Sequence, residues 1–158
     1  MGARSLDRQA WAERIRAETR RIGPFERAGG AVVIIFRLEG FDELVAGAGQ
    51  IDDRRLCRAI VASLRRAIRG SALVSGDRRG TFRVLVCETD ESAARTYVDR
   101  VAAALRPWAE AASADPRLTV AWASTSELTD LAAADRLADA RLAGAQDGWI
   151  RSAFVRRA

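Results

Sequence analysis

Hydrophobic and polar positions follow two periods along this chain. Residues 31–38, AVVIIFRL, are an almost unbroken apolar run rich in β-branched side chains, which predicts a central strand buried on both faces. Residues 53–69 place Leu56, Ile60, Leu64 and Ile68 four apart, flanked by Cys57 and Val61. Arg54, Arg55, Arg58, Arg65, Arg66 and Arg69 cover the other faces. That period predicts an amphipathic helix with Asp52 or Asp53 as its cap and the arginines as a solvated face. Residues 72–88, ALVSGDRRGTFRVLVCE, read as a β-hairpin. Ala72 to Ser75 and Thr81 to Cys87 have strand character, and Gly76, Asp77, Arg78, Arg79 and Gly80 have the chemistry of a tight polar turn.

The remaining segments fit around these three. Residues 5–22 predict a helix with Trp11, Ile15 and Ile22 on one face, stopped by Gly23-Pro24. Gly40 breaks the first strand, and residues 41–47 make a short helical turn. Asp90 caps a helix that buries Ala94, Tyr97, Val98, Val101 and Leu105. Pro107 ends or kinks it, leaving Trp108 to Ala114 as a loose segment. Residues 118–124 are a further strand. Residues 129–146 form a last helix with Leu131, Ala138, Leu142 and Ala145 inward, ended by Gly148, and residues 149–155 add an edge strand. The order predicts an α/β fold, a mixed sheet flanked by helices with the hairpin at 72–88 at its centre, in one domain over residues 1–158.

Composition narrows the chemistry. With 158 residues, 49% of them hydrophobic, the chain is long enough for a real core. No apolar run approaches the ~20 residues of a membrane span, and no secretory pattern opens the chain, so the default location is the cytoplasm. All 26 basic residues are arginine; lysine, histidine and asparagine are absent, which fits a GC-rich genome. The net charge of +5 is spread along the chain and permits an acidic partner such as a nucleotide. No stretch interleaves basic residues with stacking aromatics, so DNA is not among the expected partners. Cys57 and Cys87 lie in apolar patterns and read as reduced, buried thiols. Without histidine, a typical zinc site and a histidine base are excluded, so any catalysis would rest on carboxylates or arginines.

The order of elements, with this hairpin, resembles the GGDEF domain of diguanylate cyclases from about Leu6 to Val155. Asp7-Arg8 and Trp11 resemble the Asn-Arg and aromatic of the family's first helix. Phe36-Arg37-Leu38-Glu39-Gly40-Phe41 matches the first strand end, normally Asp-x-Asp-x-Phe-Lys, and Gly49 falls at the family's Gly-His pair. Ala138-Asp139-Ala140-Arg141-Leu142 through Ala145-Gln146 and Gly148 resembles the C-terminal helix, with Ala134-Asp135 offering a second register. The signature, Gly-Gly-Asp/Glu-Glu-Phe, aligns with Arg78-Arg79-Gly80-Thr81-Phe82, which keeps only Phe82. In this alignment Arg37 stands at a metal-binding Asp, Val45 at a guanine-contacting Asn, Arg54 or a neighbour at the guanine-contacting Asp, and Gln146 at a phosphate-contacting Lys. Arg69 keeps the first residue of the Arg-x-x-Asp product site, whose last position is Ala72.

The resemblance implies a degenerate active site and a pseudo-enzyme: no catalytic residues, no metal, no cofactor and no cyclase activity. What remains is a regulatory or protein-interaction module of bacterial cyclic di-GMP signalling. The alternative is an effector that binds cyclic di-GMP or another guanine nucleotide through Arg69, or through Arg37, Arg78 and Arg79 converging at the strand ends. Those arginines could equally pair with Glu39, Asp42 and Asp77. Candidate partners are a signalling protein or a neighbouring domain of the same chain, cyclic di-GMP, and a second copy in a homodimer. The chain lacks the Asp-x-Leu-Thr that usually opens the family, which suggests a domain excised from a longer protein.

Overall fold

A computed structural model describes residues 8–22, 30–47, 49, 52–68, 73–77, 79–87, 91–112, 118–124 and 131–144. The elements run α1 (Arg8–Ile22), β1 (Ala31–Leu38), α2 (Phe41–Gly47), α3 (Asp53–Ala67), β2 (Leu73–Gly76), β3 (Thr81–Cys87), α4 (Glu91–Ala112), β4 (Leu118–Ser124) and α5 (Leu131–Gly144). β1 takes the central position that its apolar run predicts. The sheet order is β2-β3-β1-β4, so β1 is hydrogen-bonded along both edges. Alternate side chains then leave on opposite faces. Val32, Ile34, Phe36 and Leu38 enter a core with α2, α3 and α4, while Ala31, Val33 and Ile35 enter a second core with α1 and α5. Burying each large aliphatic side chain stabilises the fold by about 1.5–3 kcal/mol.

The layers differ in how closely they approach the sheet. On the α5 side, Ala134 and Ala138 belong to the same buried cluster as Ala121 and Ala123 of β4. Four small side chains bring that helix in against the strand. On the other side the bulk comes from Phe36, Phe82, Leu56, Ile60, Leu64 and Leu105. α3 starts where the sequence places it: the Asp52 carboxylate accepts from the Arg55 backbone N–H at 2.7 Å. Cys57 is buried, Cys87 is half-buried, and neither is in a disulfide.

Three expectations need correction. The sheet is not mixed among the described strands, because β1–β3, β1–β4 and β2–β3 are all antiparallel. The hairpin itself lies toward one side of the sheet, with β2 next to β3 alone among the described strands. Nor does α4 end at Pro107; it runs on to Ala112 with Pro107 inside it. Pro107 is exposed, whereas Leu105 and Ala109 on either side of it are fully buried. Packing on that face carries the helix past the missing N–H, and the carbonyl left without a donor is that of Ala103, an exposed residue. Asp90, Ala145, Gly148 and the edge strand at 149–155 lie outside the described residues.

A half-buried polar network locks the α1–α5 layer to the sheet. Arg83 of β3 donates to Asp139 Oδ1 at 2.6 Å and to Asp135 Oδ1 at 3.4 Å, both on α5. The indole Nε1–H of Trp11, on α1, donates to the same Asp135 oxygen at 2.8 Å. Arg83 is opposite Ile35 of β1 in the register, so its charge stands on the face that carries the second core. A guanidinium there needs carboxylates, and Asp135 and Asp139, four apart on one helix face, supply two.

Three stability outcomes follow, each read by urea denaturation with the m-value as a control. Arg83→Ala leaves two carboxylates facing each other without their cation and lowers stability by about 1–3 kcal/mol. Replacing the set with Arg83→Met, Asp135→Asn and Asp139→Leu recovers a large part of that loss, keeping an acceptor for Trp11. Pro107→Ala restores a helical N–H at an exposed position and raises stability by roughly 1–2 kcal/mol, less than the ~3 kcal/mol propensity difference because the unfolded chain also gains freedom.

Candidate functional site

The end of β1 and the turn of the hairpin meet at one rim of the sheet. Antiparallel register places Arg37 opposite Thr81 of β3 and opposite Thr119 of β4, so the three form a row across the sheet. They share the face of Ile35 and Arg83, because directly paired residues project to the same side. Arg37 is the last residue of that alternation in β1 and is half-buried. Its Nε donates to Glu39 Oε1 at 2.9 Å, and Thr119 Oγ1 donates to the same oxygen at 3.2 Å. Of the acidic partners that the sequence offers to Arg37, the structure selects Glu39.

The turn is built by Asp77. Its Oδ1 accepts from the backbone N–H of Arg79 at 2.8 Å and of Thr81 at 3.0 Å. Its own N–H donates to the Thr81 carbonyl at 2.9 Å. The carboxylate thereby folds the loop, and among the described residues it pairs with no arginine side chain. From the other side, the Cys57 thiol of α3 lies 3.5 Å from the Asp77 carbonyl. A Cβ on Gly76 would stand 2.9 Å from that sulfur and 2.8 Å from the Phe82 ring, so α3 and the hairpin are in close contact there.

Gly80 is the second anchor. It has φ +85°, and a Cβ there would lie 2.6 Å from Phe41 Cβ and 3.1 Å from the Leu38 carbonyl oxygen. The Gly80 carbonyl accepts from the Leu38 N–H at 2.9 Å, tying the turn to β1. Phe82 is fully buried and meets Phe41 edge-on, with 6.4 Å between centroids and 72° between planes. Thr81 is half-buried and Arg79 is exposed.

The described candidates thus gather at one rim: Arg37, Arg79, Gly80 and Thr81, with Phe82 in the core beneath them. Arg69 and Arg78 lie outside the described residues, as do Ala72 and Gln146. Val45 packs half-buried against the larger core, and Arg54 is exposed on α3. Thr119 is a member of the rim that sequence reasoning missed; only the β1–β4 register reveals it. The Arg83 network was missed as well, although an arginine inside an apolar strand, with two aspartates four apart in a later helix, was a readable signal.

The rim can hold an anion more readily than a metal. Among the described residues no three histidine, cysteine, aspartate or glutamate side chains gather as a metal site. A divalent ion at Glu39 would have to displace the Arg37 guanidinium from that carboxylate. No helix among the described residues is long and apolar enough to cross a membrane.

No protein-family model matches the chain, and no curated protein matches it by sequence. Solved structures do match. The diguanylate cyclase SiaD of Pseudomonas aeruginosa, in complex with its activator SiaC, is 19% identical with a TM-score of 0.67, over 90% of this chain and 55% of that one. The chain therefore spans about half the length of SiaD. The GGDEF domain of YfiN (TpbB) from Pseudomonas aeruginosa is 21% identical with a TM-score of 0.67, over 92% of this chain and 93% of that one. The GGDEF domain of DgcB from Caulobacter crescentus, in complex with c-di-GMP, is 12% identical with a TM-score of 0.66, over 94% of both chains. These matches correct one expectation. The sequence places the chain outside the enzymes, but its fold is shared with a diguanylate cyclase, and the described residues do not show a lost active site. The chain has the fold of a GGDEF domain.

Proposed function

We propose that this chain is a regulatory domain of cyclic di-GMP-related signalling, working with a protein partner or a neighbouring domain. We further propose that its arginine rim takes a phosphate of cyclic di-GMP or of a guanine nucleotide. The observation that carries the ligand reading is the way Arg37 is held. Glu39 engages its Nε alone, so both Nη groups remain for an anion among the described residues. A guanidinium fixed from behind loses less freedom when it grips a phosphate than a mobile one does. Arg79, two residues before the Thr81 that faces Arg37, brings a second cation to the same rim.

The similar folds support both halves of the proposal. DgcB's GGDEF domain is found with c-di-GMP, and SiaD is found with a protein activator. Arg69 and Arg78 join the proposal from the sequence alone.

Titration calorimetry of the chain with cyclic di-GMP, then with GTP and Mg²⁺, tests it. The expected result is saturable binding that Arg37→Ala and Arg79→Ala each weaken by roughly tenfold or more, the range of a charge-assisted hydrogen bond. Arg69→Ala and Arg78→Ala, run in the same series, report whether the two remaining arginines take part. Binding that is indifferent to all four substitutions overturns the rim as the site. Silence with both ligands overturns the nucleotide reading and leaves the protein contact. Release of product in the GTP arm decides whether the domain also makes the dinucleotide.

A further inference from the structure

Away from that rim, α3 carries a second concentration of positive charge. At 3.6 residues per turn, Arg54, Arg55, Arg58, Arg65 and Arg66 fall within about 120° of the helix circumference. All five are exposed, opposite the buried Leu56, Cys57, Ile60, Val61 and Leu64. The side-chain bond of this group is from Arg66 Nη2 to Ser63 Oγ, at 3.3 Å. None of the five meets a carboxylate among the described residues, whereas Arg37, Arg83 and Arg106 each do. Five like charges over about 18 Å of helix repel one another. Among the described residues no carboxylate neutralises them.

The pattern within the face narrows what would cover it. Arg55, Ala59, Ala62 and Arg66 stand at i, i+4, i+7 and i+11, one exposed ridge with a small apolar middle and a cation at each end. Arg54, Arg58 and Arg65 flank it. The two clusters are separated by the seven residues from Arg58 to Arg65, about 10 Å of rise. An extended polyphosphate favours an uninterrupted basic track with aromatic faces for its bases, and this ridge has neither. A second helix fits better. Its small or apolar side chains can close on Ala59 and Ala62 while carboxylates one or two turns away reach the arginine forks at both ends.

We propose that the exposed face of α3 is a docking surface for one acidic amphipathic helix of a protein partner, seated on Ala59 and Ala62 and held by Arg55, Arg58, Arg65 and Arg66. This surface is independent of the nucleotide reading, since it uses none of the rim residues.

The test uses the full chain and a labelled helical peptide of about 20 residues. The peptide carries alanine and leucine at a central i, i+3 pair and glutamate one and two turns to either side. Anisotropy should show saturable binding that weakens as salt rises. Arg58→Glu with Arg65→Glu should weaken it by about tenfold or more, because like charges then face each other across the interface. The control Arg16→Glu with Arg20→Glu, an equal charge change on exposed positions of α1, should leave binding within about twofold of the parent. Arg58→Gln with Arg65→Gln, a milder change at the same exposed positions, should fall between. A thermal melt of each variant checks that the fold is kept. Equal loss in the α1 control, equal binding of a peptide with glutamine for glutamate, or tighter binding of a duplex DNA of matched charge would each overturn the proposal.

Discussion

A strand can be buried on both faces only where both of its edges are hydrogen-bonded, because no water remains to satisfy its peptide groups. β1 meets that condition between β3 and β4, and the rest of the molecule is arranged around it. Its alternation assigns one set of side chains to α2, α3 and α4 and the other to α1 and α5. Its two registers align the residues of the neighbouring strands into rows. Where the covering helices stop, the row Arg37, Thr81 and Thr119 is the first to carry polar groups at the sheet rim. Site and core therefore share one strand, with Arg37 between the buried Phe36 and Leu38.

Arginine is the chain's sole basic residue, and it does not shed its proton. Each guanidinium must be partnered or solvated, and the structure shows both solutions. Arg83 enters the α5 layer and takes two carboxylates with it. Arg37 reaches the rim and is steadied by one. The arginines of α3 remain in water, where their charge costs little until something approaches. A single residue type thus serves as a structural cross-link, a fixed cation and an unneutralised surface, according to how far each position lies from the sheet's centre.

The elements that could be read from the sequence are those whose local signals agree. β1 announces itself by its β-branched run, α3 by its four-residue period and aspartate cap, and the hairpin by two glycines around a polar turn. α4 was misjudged because proline is a local signal, whereas Leu105 and Ala109, buried on either side of it, are a tertiary one. Strand direction was misjudged for a related reason: apolar pattern reports burial and is silent on orientation. At the rim the sequence offers Glu39 to Arg37, and the structure pairs them, but two other roles there were not readable. Asp77 reads as a counter-charge, but its carboxylate folds its own turn, and Thr119 is more than 80 positions along the chain from Arg37. Partners separated so far become visible only when the register is known.

The hairpin turn is pinned at both shoulders, by Asp77 to the amides of Arg79 and Thr81 and by Gly80 to Leu38 and Phe41. The side chain of Arg79 stands exposed beyond these anchors, although its amide is one of them. A different side chain at that position would change the charge of the rim without touching the bonds that hold β3 in its register. The rim's chemistry can thus be altered there while the sheet beneath it stays as it is.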